Sequence, residues 1–315
     1  MIRTVLGDVE PEVLGITCSH EHLLARPPDW MAERDPDLVI DDLAAGVVEA
    51  AAYKAAGGGA LYEASAIDYG RNVAGLRRIA EATGLHIIAC AGFNKGLWFG
   101  NQVESWSDTE LTDHVLREVT EEVDASGCRA GCIKFGTGYN RISRDEERVI
   151  RAAARAHRRS GIPLHGHTET GTMALEQIEI LRDEGVDLAH MGFAHLLRNP
   201  DPFYLEEVAR TGAFICADGI SKVKYFPESV RMDAILALCD AGFAGQVLLG
   251  GDLARRSDLY SYDGGPGIKF IISTWAERFV RFSVWRGRER EEAEALLHNF
   301  LVDNPKRYFD VCSAY

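Results

Sequence analysis

The chain has 315 residues, 46% of them hydrophobic and 26% charged, enough for one large core and too few for three ordinary domains. Its 34 Lys and Arg against 48 Asp and Glu leave a net charge of −14, which disfavours nucleic acid and anionic membrane surfaces and leaves a small molecule as the expected partner. Seven cysteines form no paired framework, and no leader pattern or membrane-length apolar run is present, so the expectation is a cytoplasmic protein with reduced thiols.

In chain order, eight short apolar runs stand one helical stretch apart: 15–23, 59–65, 86–93, 131–137, 162–168, 191–195, 213–217 and 246–252. Eight strand-helix units in this length predict an α/β fold, the (β/α)₈ TIM barrel, occupying residues 1–315 as one domain. Ser107 with Glu110 and Ser143 with Glu146 read as capping boxes, and Leu111, Val115, Val119 and Val123 form one apolar helical stripe. Gly84, Gly127, Gly161, Gly185, Gly212 and Gly242 close helical stretches just before an apolar run. The long connections 27–42, 96–108 and 254–267 follow strands and belong to the face where barrel active sites are built.

The chemistry concentrates at the ends of these runs. His20 and His22, two residues apart on a strand, share one face and can reach the same ion. His167, His195 and Asp252 end the fifth, sixth and eighth runs, so four imidazoles and a carboxylate converge on one mouth, a donor set suited to borderline divalent metals. Lys134 ends the fourth run in an apolar setting, where a lone ammonium is costly. Carbamate formation with CO₂ would turn it into an anionic ligand; a Lys–carboxylate pair or a Schiff-base lysine are the alternatives. His165 reads as a barrel-interior histidine one pleat below His167, His190 as structural, and His86, His114, His157 and His298 as ordinary surface or packed residues.

These residues carry a resemblance. Residues 3–7 (RTVLG), 17–22 (TCSHEH), 70–72 (GRN), 96–99 (GLWF), Ile133-Lys134, His167-Thr168, 192–195 (GFAH), 250–252 (GGD) and Asn304-Pro305 resemble the phosphotriesterase family of the amidohydrolase superfamily nearly end to end. The resemblance implies that His20, His22 and Asp252 hold the more buried metal and His167 and His195 the outer one, with carboxylated Lys134 bridging. Zinc is the expected ion, with manganese, cobalt or iron as alternatives. Two such ions lie about 3.5–4 Å apart and share an activated hydroxide, with Asp252 accepting the proton released on attack.

For the substrate, the resemblance favours a lactone or other carboxylic ester over a phosphotriester or an N-acyl amide. A silent small-molecule-binding barrel is the non-enzymatic alternative, disfavoured because all six metal positions are present. Lys222, Lys224, Tyr225, Arg255 and Arg256 cluster on an otherwise acidic chain, and Lys224 and Arg256 resemble the anion-holding positions of the branch acting on phosphorylated sugar lactones. Asp258 stands where that branch usually has an aromatic residue. Trp98, with Phe99, Trp30 and Tyr62, is expected to line an apolar part of the pocket. The family resemblance also implies a homodimer, for which Phe279, Phe282 and Trp285 offer an apolar patch.

Overall fold

Each apolar run forms a strand, and the amphipathic stretches between them fold into helices whose buried faces lie on the sheet. The computed structural model describes residues 1–312, so 313–315 of the expected 1–315 unit lie outside the described residues. An antiparallel hairpin, β1 (Ile2–Thr4) and β2 (Gly7–Val9), opens the chain. It is followed by β3 (Ile16–Glu21), β4 (Gly58–Glu63), β5 (His86–Ile88), β6 (Cys90–Gly92) and β7 (Cys132–Thr137). Then come β8 (Leu164–Thr168), β9 (Met191–Ala194), β10 (Phe214–Ala217) and β11 (Val247–Leu249).

Strands β3 to β5 pair in parallel in one sheet, and β6 to β11 in a second. β5 and β6 are the two halves of the third apolar run, interrupted at Ala89, whose carbonyl accepts from the Gly131 N–H. One half bonds β4 and the other β7, so the run joins the two sheets. The ring closes where the Asp252 N–H, just past β11, donates to the His20 carbonyl of β3 at 3.0 Å. The result is a (β/α)₈ TIM barrel, with the strand C-termini and the three long connections at one mouth.

Local signals behave as read. Both capping boxes form, Leu111, Val115, Val119 and Val123 are all buried, and the six helix-closing glycines all have positive φ. Cys18, Cys90, Cys128, Cys132, Cys216 and Cys239 are free thiols, and no helix among the described residues is long and apolar enough to cross a membrane.

The opposite end of the barrel was not legible. The β1–β2 hairpin and the terminal helix Asn304–Phe309 close it, Ile2 bridging to Asp310 and Tyr308 and Phe309 joining Ile2, Leu14, Tyr62 and Phe214 in a separate apolar cluster. Three-residue strands are too short for a periodic signal. The proposed interface patch needs correction: Phe279 is fully buried and stacked on Trp275, whereas Trp285 is 74% exposed. Phe279 sits on the inner side of helix Ala276–Trp285, and Trp285 on its outer side.

Candidate metal centre and its cavity

His20 and Glu21 end β3, and His22 follows directly; strand alternation turns both imidazoles inward and leaves Glu21 between them to brace the neighbouring strand. Glu21 accepts from the N–H groups of Gly251 (2.7 Å) and Leu253 (3.0 Å), on either side of Asp252. Asp252 itself lies in the left-handed region at φ 50°. Its turn is held by these bonds, and by a close approach that only glycine permits: a Cβ on Gly251 would stand 2.3 Å from Glu21 Oε1. The carboxylate is thereby placed with Oδ1 at 3.5 Å from His20 Nε2 and 3.4 Å from His22 Nε2.

Each of the four imidazoles has one nitrogen engaged by a neighbour. His20 Nδ1 meets His165 Nε2 at 2.9 Å, and His22 Nδ1 meets Ser65 Oγ at 2.8 Å, Ser65 in turn donating to Glu63 at 2.7 Å. His167 Nε2 lies 3.0 Å from Glu169 Oε2, and His195 Nδ1 lies 2.9 Å from Asp218 Oδ1. The remaining nitrogens of His20 and His22 face Asp252, and those of His167 and His195 make no hydrogen bond among the described residues. His20 Nε2 is buried with no hydrogen-bond partner among the described residues. Burial, reinforced by nearby cations, pushes all four rings below the ordinary imidazole range, so they are neutral and carry a bare lone pair. Burial works to raise Asp252, but the Lys222 ammonium, 3.0 Å from Oδ2, holds it well below the usual carboxylate range. A neutral imidazole with one nitrogen engaged and the other free, beside an ionised carboxylate, is the donor chemistry that a divalent metal requires. The residues therefore fit a metal centre, and His20, His22 and Asp252 form one compact group that could hold an ion.

Lys134 does not end its strand: it is the third residue of β7, opposite His165 in register, and its side chain, 2% exposed, reaches up into the same mouth with Nζ donating to the Ala64 carbonyl at 2.7 Å. It forms no ion pair among the described residues, so the Lys–carboxylate alternative finds no partner here. His165 is fully buried below the ligand layer, as its place in the strand indicates.

Above the centre opens a cavity of about 560 Å³, walled by His22, Lys134, His167, His195 and Asp252 at its floor. Trp98 and Lys224 line it as expected, Trp98 being stacked on Trp30 with ring centres 6.3 Å apart. Arg256 does not: its Nε donates to the Val39 carbonyl at 2.6 Å and its guanidinium lies over Tyr262, outside the cavity. Arg255 takes that place, paired with Asp35 and Asp37. Tyr62 packs on His165 inside the barrel and Phe99 packs on Phe93, so neither reaches the cavity. Two further cavity cations are Lys222, a member of the basic cluster read from the sequence, and Arg198, which the sequence reading did not name; their side-chain nitrogens reach Asp252 Oδ2 at 3.0 and 2.6 Å. Asp218, Glu169 and Ser65 were also missed, although each stands one or two positions past a strand end, where barrel sites are built.

Comparison with known proteins agrees with this geometry. The profile of the phosphotriesterase family matches residues 1–309. A phospho-furanose lactonase of Mycoplasmopsis agalactiae is 33% identical over 97% of this chain and 90% of its own length. The crystal structure of a lactonase from Listeria monocytogenes superposes with a TM-score of 0.95 at 40% identity, covering 99% of both chains. That of a phosphotriesterase homology protein from Escherichia coli, complexed with phosphate in its active site, gives 0.87 at 28% identity over 96% of this chain and 100% of that one. The chain belongs to the phosphotriesterase family.

Proposed function

We propose that the protein is a two-metal hydrolase that opens a lactone bearing an anionic, phosphate-type substituent. The carrying observation is the set of four buried imidazoles, each with one nitrogen engaged by a neighbour, gathered around Asp252 beneath a cation-walled cavity. His20, His22 and Asp252 would hold one ion and His167 and His195 the other. Lys134, buried without a carboxylate partner, would bridge them as a carbamate, its amine having lost a proton and formed an N–C bond to CO₂. When bound, the ions polarise the substrate carbonyl and activate a water.

The chain's own residues supply the rest. Water adds to the lactone carbonyl, the ring C–O bond breaks, and a hydroxy acid leaves with one proton released; Asp252 is the group placed to receive that proton. Trp98 offers an apolar wall to the ring, and Lys224, which has no ion pair among the described residues, offers a free cation to the anionic substituent. The named activities of the Mycoplasmopsis and Listeria relatives support this class, as does the phosphate held by the Escherichia relative.

The test is hydrolysis by zinc- or manganese-loaded protein of plain lactones, phosphorylated furanose lactones, an aryl ester, a phosphotriester and an N-acyl amide. Lactone turnover should fall to background in Lys134→Ala. Lys224→Ala should raise KM for the phosphorylated lactone by roughly 10–100-fold with little change in kcat, the cost of one charge-assisted bond. Turnover of only the triester or amide, or lactone turnover that survives Lys134→Ala, would overturn the reading.

A further inference from the structure

A chain of three hydrogen bonds runs from the closed end of the barrel to its mouth. It begins at Tyr308, on the terminal helix Asn304–Phe309, whose hydroxyl donates to the Leu164 carbonyl at 2.7 Å. A carbonyl can only accept, so the single phenol proton is committed there. Cys132 Sγ, 3.9 Å away, is a weak partner that does not alter this. The phenol oxygen must then accept at its other contact, His165 Nδ1 at 2.9 Å, which places the His165 proton on Nδ1. His165 is fully buried and meets no carboxylate among the described residues, so nothing there would offset a second ring proton, and its Nε2 accepts from His20 Nδ1–H at 2.9 Å. The His20 proton is thus on Nδ1, and Nε2, buried with no hydrogen-bond partner among the described residues and 3.5 Å from Asp252 Oδ1, carries none.

The surroundings are built around this path. Phe214 and Phe309 flank the Tyr308 ring at 5.2 and 4.6 Å between centres, and Tyr62 meets His165 edge-on at 5.0 Å. Residue 192 is glycine where a Cβ would stand 2.9 Å from the Tyr308 hydroxyl oxygen. None of these contacts offers His165 or His20 a competing partner.

We propose that Tyr308, acting through His165, fixes the tautomer of His20 and so keeps its Nε2 bare for a divalent metal ion, an inference that rests on the reading of His20 as a ligand. Tyr308 and His165 are positioning residues: neither touches the cavity, and a residue of the last helix sets the chemistry of a ligand on the first barrel strand.

The test combines ¹⁵N-histidine NMR of the metal-free protein with zinc affinity measured against a competing chelator. In the wild type His20 should carry its proton on Nδ1. Tyr308→Phe should give mixed tautomers at His165 and His20 and a roughly 10–100-fold loss of zinc affinity at one of the two sites, the usual effect of removing an outer partner of a ligand. His165→Gln, whose amide oxygen can still accept from His20, should retain most of that affinity, and His165→Leu should lose it; this pair decides the matter if Tyr308→Phe does not fold. A proton on Nε2 in the wild type, unchanged affinity in Tyr308→Phe, or equal losses in the two His165 variants would overturn the proposal. Zinc uptake by His20→Ala equal to the wild type would refute the ligand reading instead, while the tautomer spectrum would still judge the relay.

Discussion

At His195 one carboxylate holds both the backbone and the ring: Asp218 Oδ2 accepts from the His195 N–H at 2.8 Å, and Oδ1 faces Nδ1 at 2.9 Å. The residue sits at φ 69°, so the pair of bonds also fixes a backbone conformation that side chains avoid. Asp218→Asn keeps the shape but turns one of two acceptors into a donor facing an N–H. The expected outcome is zinc affinity reduced roughly 10–100-fold with the fold retained, checked by chelator competition alongside circular dichroism. Affinity equal to the wild type would show that Asp218 does not orient His195. The sequence identified His195 because it ends a strand run in the right order, but nothing in a one-dimensional pattern says which carboxylate will meet its second nitrogen.

Between elements, Glu49 does for a loop what Asp218 does for a ring. It lies on helix Leu43–Ala55 and accepts from the N–H groups of Ser261 (2.9 Å) and Ile268 (2.8 Å), pinning the connection after β11. The same connection is tied to the one after β3, where Asp37 binds Ser257 and Asp35 and Asp37 pair with Arg255. Both connections wall the cavity. Glu49→Ala leaves two N–H groups without partners, costing about 1–3 kcal/mol for each that stays buried. Faster amide exchange should appear across 257–268, and KM should rise more than kcat falls. Exchange rates unchanged in that segment would mean that the clasp from Asp35 and Asp37 suffices. Arg256 was expected in the cavity for a related reason: two adjacent arginines cannot be told apart by composition, and the 3₁₀ turn Arg256–Asp258 sends one inward and its neighbour to the Val39 carbonyl.

At the scale of the molecule, the charge that most directly braces the barrel is buried beside the divided third strand. Arg71 pairs with Glu118 and Asp124 and donates to the Cys90 carbonyl, while Glu118 accepts from the Gly92 N–H at 2.9 Å. Burial acts to raise Glu118, but the Arg71 charge and the bonds from His114 and Arg71 outweigh it and hold the carboxyl at about 2, below the ordinary 4.5. A carboxyl lowered on folding stabilises the native state above its unfolded value and loses that contribution as pH falls. Stability should therefore decline between pH 4.5 and about 2, and Glu118→Gln should be less stable at pH 7 while showing a flatter decline over that interval. Urea unfolding at several pH values checks this; a wild-type and variant difference that is the same at pH 7 and pH 2 would contradict it.

Periodicity and spacing along one strand or turn suffice for the barrel, for the strand ends that carry His20, His22, His167, His195 and Asp252, for the strand that carries Lys134, and for the helix caps. Which partners hold the imidazoles, that Arg198, Lys222 and Arg255 line the cavity while Arg256 does not, and that Tyr308 reaches His20 through His165 depend on how the chain folds up in three dimensions. Those contacts join residues up to 145 positions apart. They are fixed by where the ring of strands closes and how its far end is plugged, and no local pattern encodes either.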